Sequence, residues 1–209
     1  MANKKNLYYK TGNKGNVDFT DRWDDLKPLI DFNPNHIVLD VGCAEGLIAI
    51  ELAKQFKQVY AFEINPIRCQ MGRENVIRVL NIENVDIRCG NSIQLIKNFK
   101  NWLKYIGVNK VNLIHSDFPW GGVNYSKKSK IDDLYLENIN YNYEIGDYEN
   151  VEGKKMGIYD MIKKISPYTD FISLKLPFNF DIKTLKKKVN GKINIYNISK
   201  KIIMVIIET

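Results

Sequence analysis

Histidine and cysteine are scarce in this chain of 209 residues, and the scarcity narrows what it can be. Two histidines, His36 and His115, are too few for a histidine-built metal centre. The three cysteines, Cys43, Cys69 and Cys89, are odd in number, lie far apart and never form a Cys-x-x-Cys pair. That pattern argues against a zinc site and a disulfide framework, and for a reducing compartment. The start, Met1-Ala2-Asn3-Lys4-Lys5, lacks the apolar core of a signal peptide. No apolar run reaches membrane-spanning length. The expectation is an intracellular protein, cytoplasmic or nuclear, monomeric, with neither metal nor membrane partner.

What is present is a net charge of +7 and enough chain for one full core. The charge suits an anionic partner. Abundant Ile, Asn and Lys is also the composition of an AT-rich genome, so charge alone does not name that partner.

Residues 1–20 are polar and without periodicity, and read as a flexible arm. Residues 21–209 read as a single domain. Within 21–32, Trp23, Leu26, Leu29 and Ile30 are spaced like one face of a short helix. Short β-rich apolar runs follow at 37–41, 58–63, 85–89, 111–116, 169–176, 192–198 and 202–208. Helical stretches lie at roughly 46–57, 66–80, 92–106, 155–165 and 180–188. Strands alternating with helices predict an α/β fold: a seven-stranded, mainly parallel sheet with helices on both faces. The short link between the last two strands predicts an antiparallel C-terminal hairpin at the sheet edge. Residues 124–153 break the rhythm. Lys127, Lys128 and Lys130 precede a run of acids interleaved with Tyr135, Tyr141, Tyr143 and Tyr148, read as a long irregular segment, either a lid or a surface loop.

Three strand ends carry candidate ligand contacts. Val38-Leu39-Asp40-Val41-Gly42 ends the first strand in a glycine turn, and Gly46 opens a helix. In open parallel sheets ligands sit beyond the carboxyl ends of the strands. The spacing Asp-x-Gly-x-x-x-Gly lacks the pyrophosphate cradle of a dinucleotide fingerprint, which suits a cofactor without phosphate. The second strand ends at Phe62-Glu63-Ile64-Asn65-Pro66, where a carboxylate can accept bonds from both ribose hydroxyls. The third ends at Cys89-Gly90-Asn91-Ser92, where an Asn can meet an adenine amino group. Asp40, Gly42, Gly46, Glu63, Ile64 and Asn91 are therefore the expected contacts of S-adenosylmethionine, with S-adenosylhomocysteine as product, in preference to NAD.

The fourth strand runs into Asp117-Phe118-Pro119-Trp120-Gly121-Gly122. An acidic-proline-aromatic turn at a strand end is an arrangement for methylating an exocyclic amine. Asp117 accepts a hydrogen bond from the amine, Pro119 fixes the backbone, and Trp120 stacks on the base. Asp117 and Trp120 are the expected catalytic pair. His115 is expected to pack against the sheet.

This motif, with the 39–46 turn, resembles the trimethylguanosine synthases, RNA cap methyltransferases that act on the N2 amine of 7-methylguanosine. Their signature is Ser-Pro-Pro-Trp-Gly-Gly. Asp117 stands for the Ser, Phe118 for the first Pro, and Pro119-Trp120-Gly121-Gly122 match outright. The likeness runs from about residue 37 to the end of the sequence. It takes in Arg73-Glu74-Asn75, similar to an Arg-Asn-Asn whose last Asn contacts the guanine, and Leu176-Pro177-Phe178-Asn179, similar to a Leu-Pro-Arg-Asn. It implies a Rossmann-like class I methyltransferase domain over 21–209, capped RNA or a cap nucleotide as partner, and Trp120, Asn75 and Lys175 as substrate contacts. Phe178 in place of Arg removes a phosphate contact that Lys175 or Lys183 is expected to supply. Asp117 in place of Ser is shared with the Asp-Pro-Pro-Tyr of other amino-methyltransferases. It keeps open an alternative: N6-adenine or N2-guanine methylation of rRNA, tRNA or DNA.

Overall fold

The computed structural model describes residues 33–117, 128–136, 139–142, 147–150 and 155–209, with 139–142 and 147–150 described by backbone alone. The N-terminal arm, the helix expected at 21–32, residues 118–122 with Trp120, and the rest of 124–153 lie outside the described residues.

The expected seven strands form one sheet. They are β1 (Ile37–Val41), β2 (Gln58–Glu63), β3 (Val85–Cys89), β4 (Val111–Ser116), β9 (Thr169–Pro177), β10 (Lys192–Asn197) and β11 (Ile202–Glu208), in the order β10-β11-β9-β4-β1-β2-β3. The helices are α1 (Leu47–Ala53), α2 (Pro66–Glu74), α3 (Ser92–Lys97), α4 (Phe99–Tyr105), α5 (Ile158–Ile165) and α6 (Ile182–Lys188). β1–β2, β2–β3 and β4–β9 pair parallel. β11 is antiparallel to both β9 and β10, so the hairpin turns its second strand inward and leaves β10 at the edge. Burial follows position: β4 and β11 are almost wholly buried, whereas β10 alternates between exposed and half-buried residues. This is why the inner strands read as continuous apolar runs.

Three expectations are corrected. The helix expected over 92–106 is broken at Asn98, whose φ of −108° and ψ of 22° leave the helical region; its amide bonds locally to the Gln94 carbonyl. The segment read as irregular contains three short strands. β5 (Tyr135–Leu136) pairs with β8 (Met156–Gly157), and β6 (Ile139–Asn142) with β7 (Asp147–Asn150), all antiparallel. The third correction concerns cysteine: Cys69 and Cys89 form a disulfide with Cα atoms 5.6 Å apart, and only Cys43 is free. Twenty residues separate them in sequence, but α2 packs on β3 and brings them together. The case for a reducing compartment loses its support with it.

The described chain falls into two compact units, one ending at Gly90 and one covering Asn91–Thr209. Among the described residues, no helix is long and apolar enough to cross a membrane, and no group of His, Cys, Asp and Glu could hold a metal ion.

Candidate functional site

The first unit holds the glycine turn and Glu63, the residues expected to meet the cofactor. The turn after β1 holds three residues at positive φ: Gly42 at 83°, Ala44 at 48° and Gly46 at 81°. Gly46 is needed for a second reason. A Cβ there would lie 2.9 Å from Ile87 Cδ1 and 3.5 Å from the Gly72 Cα. Gly72, on α2, in turn lies against the Glu45 backbone, where its own Cβ would meet Glu45 at 3.3 Å. The second glycine of the motif therefore serves close packing of turn on helix.

α2 starts where local chemistry dictates. Asn65 Oδ1 accepts from the Ile67 and Arg68 amides, and Pro66 occupies the first turn, where its missing N–H costs nothing. The helix then grips the turn twice more. Arg68 Nε lies 3.6 Å from Glu45 Oε1, and Asn75 Nδ2 donates to the Glu45 carbonyl at 3.1 Å. Asn75 starts a π-helical turn, Asn75–Val79. Asn75, expected as a guanine contact, has its side chain buried and donating to the Glu45 carbonyl. Arg68 and Gly72 were not singled out from sequence. Their only signal there is their place on the helix after Glu63.

Glu63 is 5 % exposed at the end of β2. Its Oε2 accepts from the Ala44 amide at 3.0 Å and its Oε1 from the Asn65 amide at 2.7 Å. Two backbone donors thus fix the plane of the carboxylate. Burial raises its pKa above the ordinary glutamate value, against the lowering by the Asn65 amide, Arg68 and the Ala44 amide. Asp40 is buried within β1, and half-buried Ile64 follows Glu63. The Cys43 thiol registers the local field: burial first, then Asp40, Glu63 and Glu45, push its pKa well up. Three buried carboxylates around one turn repel a pyrophosphate and attract a cationic ligand. S-adenosylmethionine, with its sulfonium and ammonium, fits this turn. Gly42 would admit its backbone approach and Glu63 would take the ribose hydroxyls. When bound it supplies an electrophilic methyl group.

The second unit carries Asn91 and Asp117, the latter expected to meet the acceptor. Asn91 caps α3, its Oδ1 accepting from the Ile93 amide at 2.8 Å and the Gln94 amide at 3.4 Å. That oxygen is used by the helix. Parallel pairing of β4 with β9 sets His115 opposite Ser173 and Ser116 opposite Leu174. One step further, Lys175 Nζ donates to Asp117 Oδ2 at 2.7 Å. Lys175 is 9 % exposed. Lys175, expected as a phosphate contact, has its ammonium paired with Asp117. Lys183 is exposed in the first turn of α6. His115 Nδ1 lies 3.2 Å from Ser173 Oγ, which donates to Met204 Sδ. Burial, then the Lys175 charge, lowers the His115 pKa to about 3, so the ring is neutral and packed.

A sheet of this order, with a strained glycine turn after β1 and a buried acid ending β2, defines a class I methyltransferase whose cofactor is S-adenosylmethionine. Residues 35–208 match the model of the RNA cap guanine-N2 methyltransferases, and the chain belongs to that family. Part of it is also similar to a probable cobalt-precorrin-6B C(15)-methyltransferase (decarboxylating) of Methanococcus maripaludis, 31 % identical over 70 residues, 34 % of this chain and 38 % of that protein. The match thus spans little over a third of that curated relative. In three dimensions the chain is similar to an rRNA methylase from Streptococcus thermophilus, with TM-score 0.54 and 14 % identity over 89 % of this chain and 92 % of that one. It is equally similar to the magnesium protoporphyrin IX methyltransferase of Synechocystis with bound cofactor, with TM-score 0.54 and 13 % identity over 94 % and 87 % of the two chains. At such identities these two likenesses speak for the fold alone.

Proposed function

We propose that the protein transfers a methyl group to the exocyclic N2 amine of a 7-methylguanosine cap on RNA, as the trimethylguanosine synthases do. The observation that carries the reading is the family match over 35–208, which includes Asp117-Phe118-Pro119-Trp120-Gly121-Gly122. Asp117 accepts a hydrogen bond from the N2 amine and turns the nitrogen lone pair toward the methyl group. Trp120 stacks on the base. A 7-methylguanine ring is cationic, and Trp is the best aromatic face for a cation, worth about 0.5–2 kcal/mol. The sulfonium is already a strong electrophile, so the protein contributes mainly orientation.

The test compares methyl transfer to 7-methylguanosine diphosphate, guanosine diphosphate and uncapped RNA. Turnover of the 7-methylated nucleotide well above the other two is the expected result. Equal turnover of the first two overturns the cap reading. Transfer to adenine or unmodified guanine of uncapped RNA or DNA favours the second reading, which rests on Asp117 standing where the family signature has Ser.

A further inference from the structure

We infer that Lys175 is a positioning residue: its buried ammonium fixes and neutralises the Asp117 carboxylate, so that aspartate can do at this position what serine does in the signature it resembles. The inference rests on the reading of Asp117 as the acceptor of the substrate amine.

The ladder makes the pair. Residues of β4 and β9 that face one another differ by 58 positions, as His115 and Ser173 do, and Asp117 and Lys175 continue that offset. Lys175 cannot be an incidental surface cation. Leu174 and Leu176, its neighbours in β9, are 0 % and 1 % exposed, and Met204 lies opposite it on β11. An ammonium so placed requires an anion. Among the described residues packed around it, His115 is neutral and itself disfavoured as a cation by Lys175, while Ser173 and Met204 carry no charge. Asp117 supplies an anion at 2.7 Å.

The pairing also defines what Asp117 offers a substrate. Lys175 holds one oxygen of the Asp117 carboxylate, Oδ2, by a charge-assisted bond at 2.7 Å. That bond fixes the rotation of the carboxylate. It also makes the 117–175 pair neutral overall, as a lone Ser at 117 would be. Of the two partners it is the buried lysine that needs a counter-ion, which aspartate supplies and serine would not.

The test is a four-member cycle of wild type, Lys175→Met, Asp117→Ser and the double variant, with kcat and KM for 7-methylguanosine diphosphate and S-adenosylhomocysteine affinity as readouts. Lys175→Met should lower kcat by about tenfold or more, the loss of one charge-assisted bond. KM and cofactor affinity should change little. The double variant should regain most of the lost turnover, because the unpaired carboxylate is gone. Two outcomes overturn the inference. In one, the double variant is no better than Lys175→Met. In the other, Lys175→Met raises KM for phosphate-bearing substrates and leaves kcat intact, which makes Lys175 a phosphate contact. If wild type instead methylates uncapped RNA, the cap reading fails and the cycle is run on that RNA, where recovery in the double variant still sustains the role of Lys175.

Discussion

Glu63 holds one backbone amide on each carboxylate oxygen while burial pushes its pKa up. The two effects oppose each other, and the consequence can be measured. The ionised carboxylate is the form that would grip ribose hydroxyls. As pH falls, Glu63 takes its proton earlier than an ordinary glutamate, and cofactor affinity should begin to weaken at that higher pH. Calorimetry with S-adenosylhomocysteine should show this for wild type. Glu63→Ala should bind weakly and without that pH dependence, by about 1.5–3 kcal/mol for one charge-assisted bond lost. A wild-type affinity that stays flat down to the ordinary carboxylate range would sink the assignment. The sequence placed Glu63 at the end of the second strand, and the structure buries it there. Asn75, Asn91 and Lys175 are polar residues near strand or helix ends too, yet the fold uses their polar atoms for a turn, a helix cap and an ion pair. Sequence does not separate a group facing a ligand from one facing backbone, since both ask for the same side chain.

Among the elements, α2 contributes most to holding the cofactor turn. It offers Arg68 and Gly72 to Glu45, with Asn75 just past its end, and it is tied to the end of β3 by Cys69–Cys89. Closing a loop of this size stabilises by about 3 kcal/mol in the chain-entropy account. The pair Cys69→Ser, Cys89→Ser, or a dithiol reductant, should therefore lower the melting temperature. It should also weaken S-adenosylhomocysteine binding, because the helix behind the turn is released. Differential scanning calorimetry and binding on the same samples check both; unchanged values in reductant would remove the bond from the account. The strands were legible almost to the residue, because buried β-branched runs bounded by polar residues admit few other readings. The disulfide was not: it depends on how α2 lies on β3, and spacing in sequence carries no trace of that. The break at Asn98 depends likewise on one local hydrogen bond winning over helix continuation.

At the scale of the whole molecule, unfolding couples to pH through His115. In the folded chain its pKa is about 3, while in the unfolded chain it titrates near its ordinary 6.5. Below 6.5 the unfolded chain binds the extra proton, so stability falls as pH falls, from 6.5 to about 3, by at most about 1.4 kcal/mol per pH unit. Above 6.5 this contribution is fully present. Glu63, with its raised pKa, works in the opposite direction, so the comparison must be between variants. Melting temperatures of wild type and His115→Asn at pH 7.5 and 5.5 should show a shallower loss in the variant; parallel slopes would mean that His115 is protonated in the fold. The neighbouring pair, Asp117 and Lys175, has a consequence for ancestry. From a neutral starting pair, such as the Ser of the resembled signature implies, two orders of substitution lead to the present one. Lysine first strands an ammonium on a side chain 10 % exposed; aspartate first sets a carboxylate on one 37 % exposed, where water solvates it. The order with aspartate first is the less costly, and the same asymmetry makes loss of Asp117 alone costlier than loss of Lys175 alone.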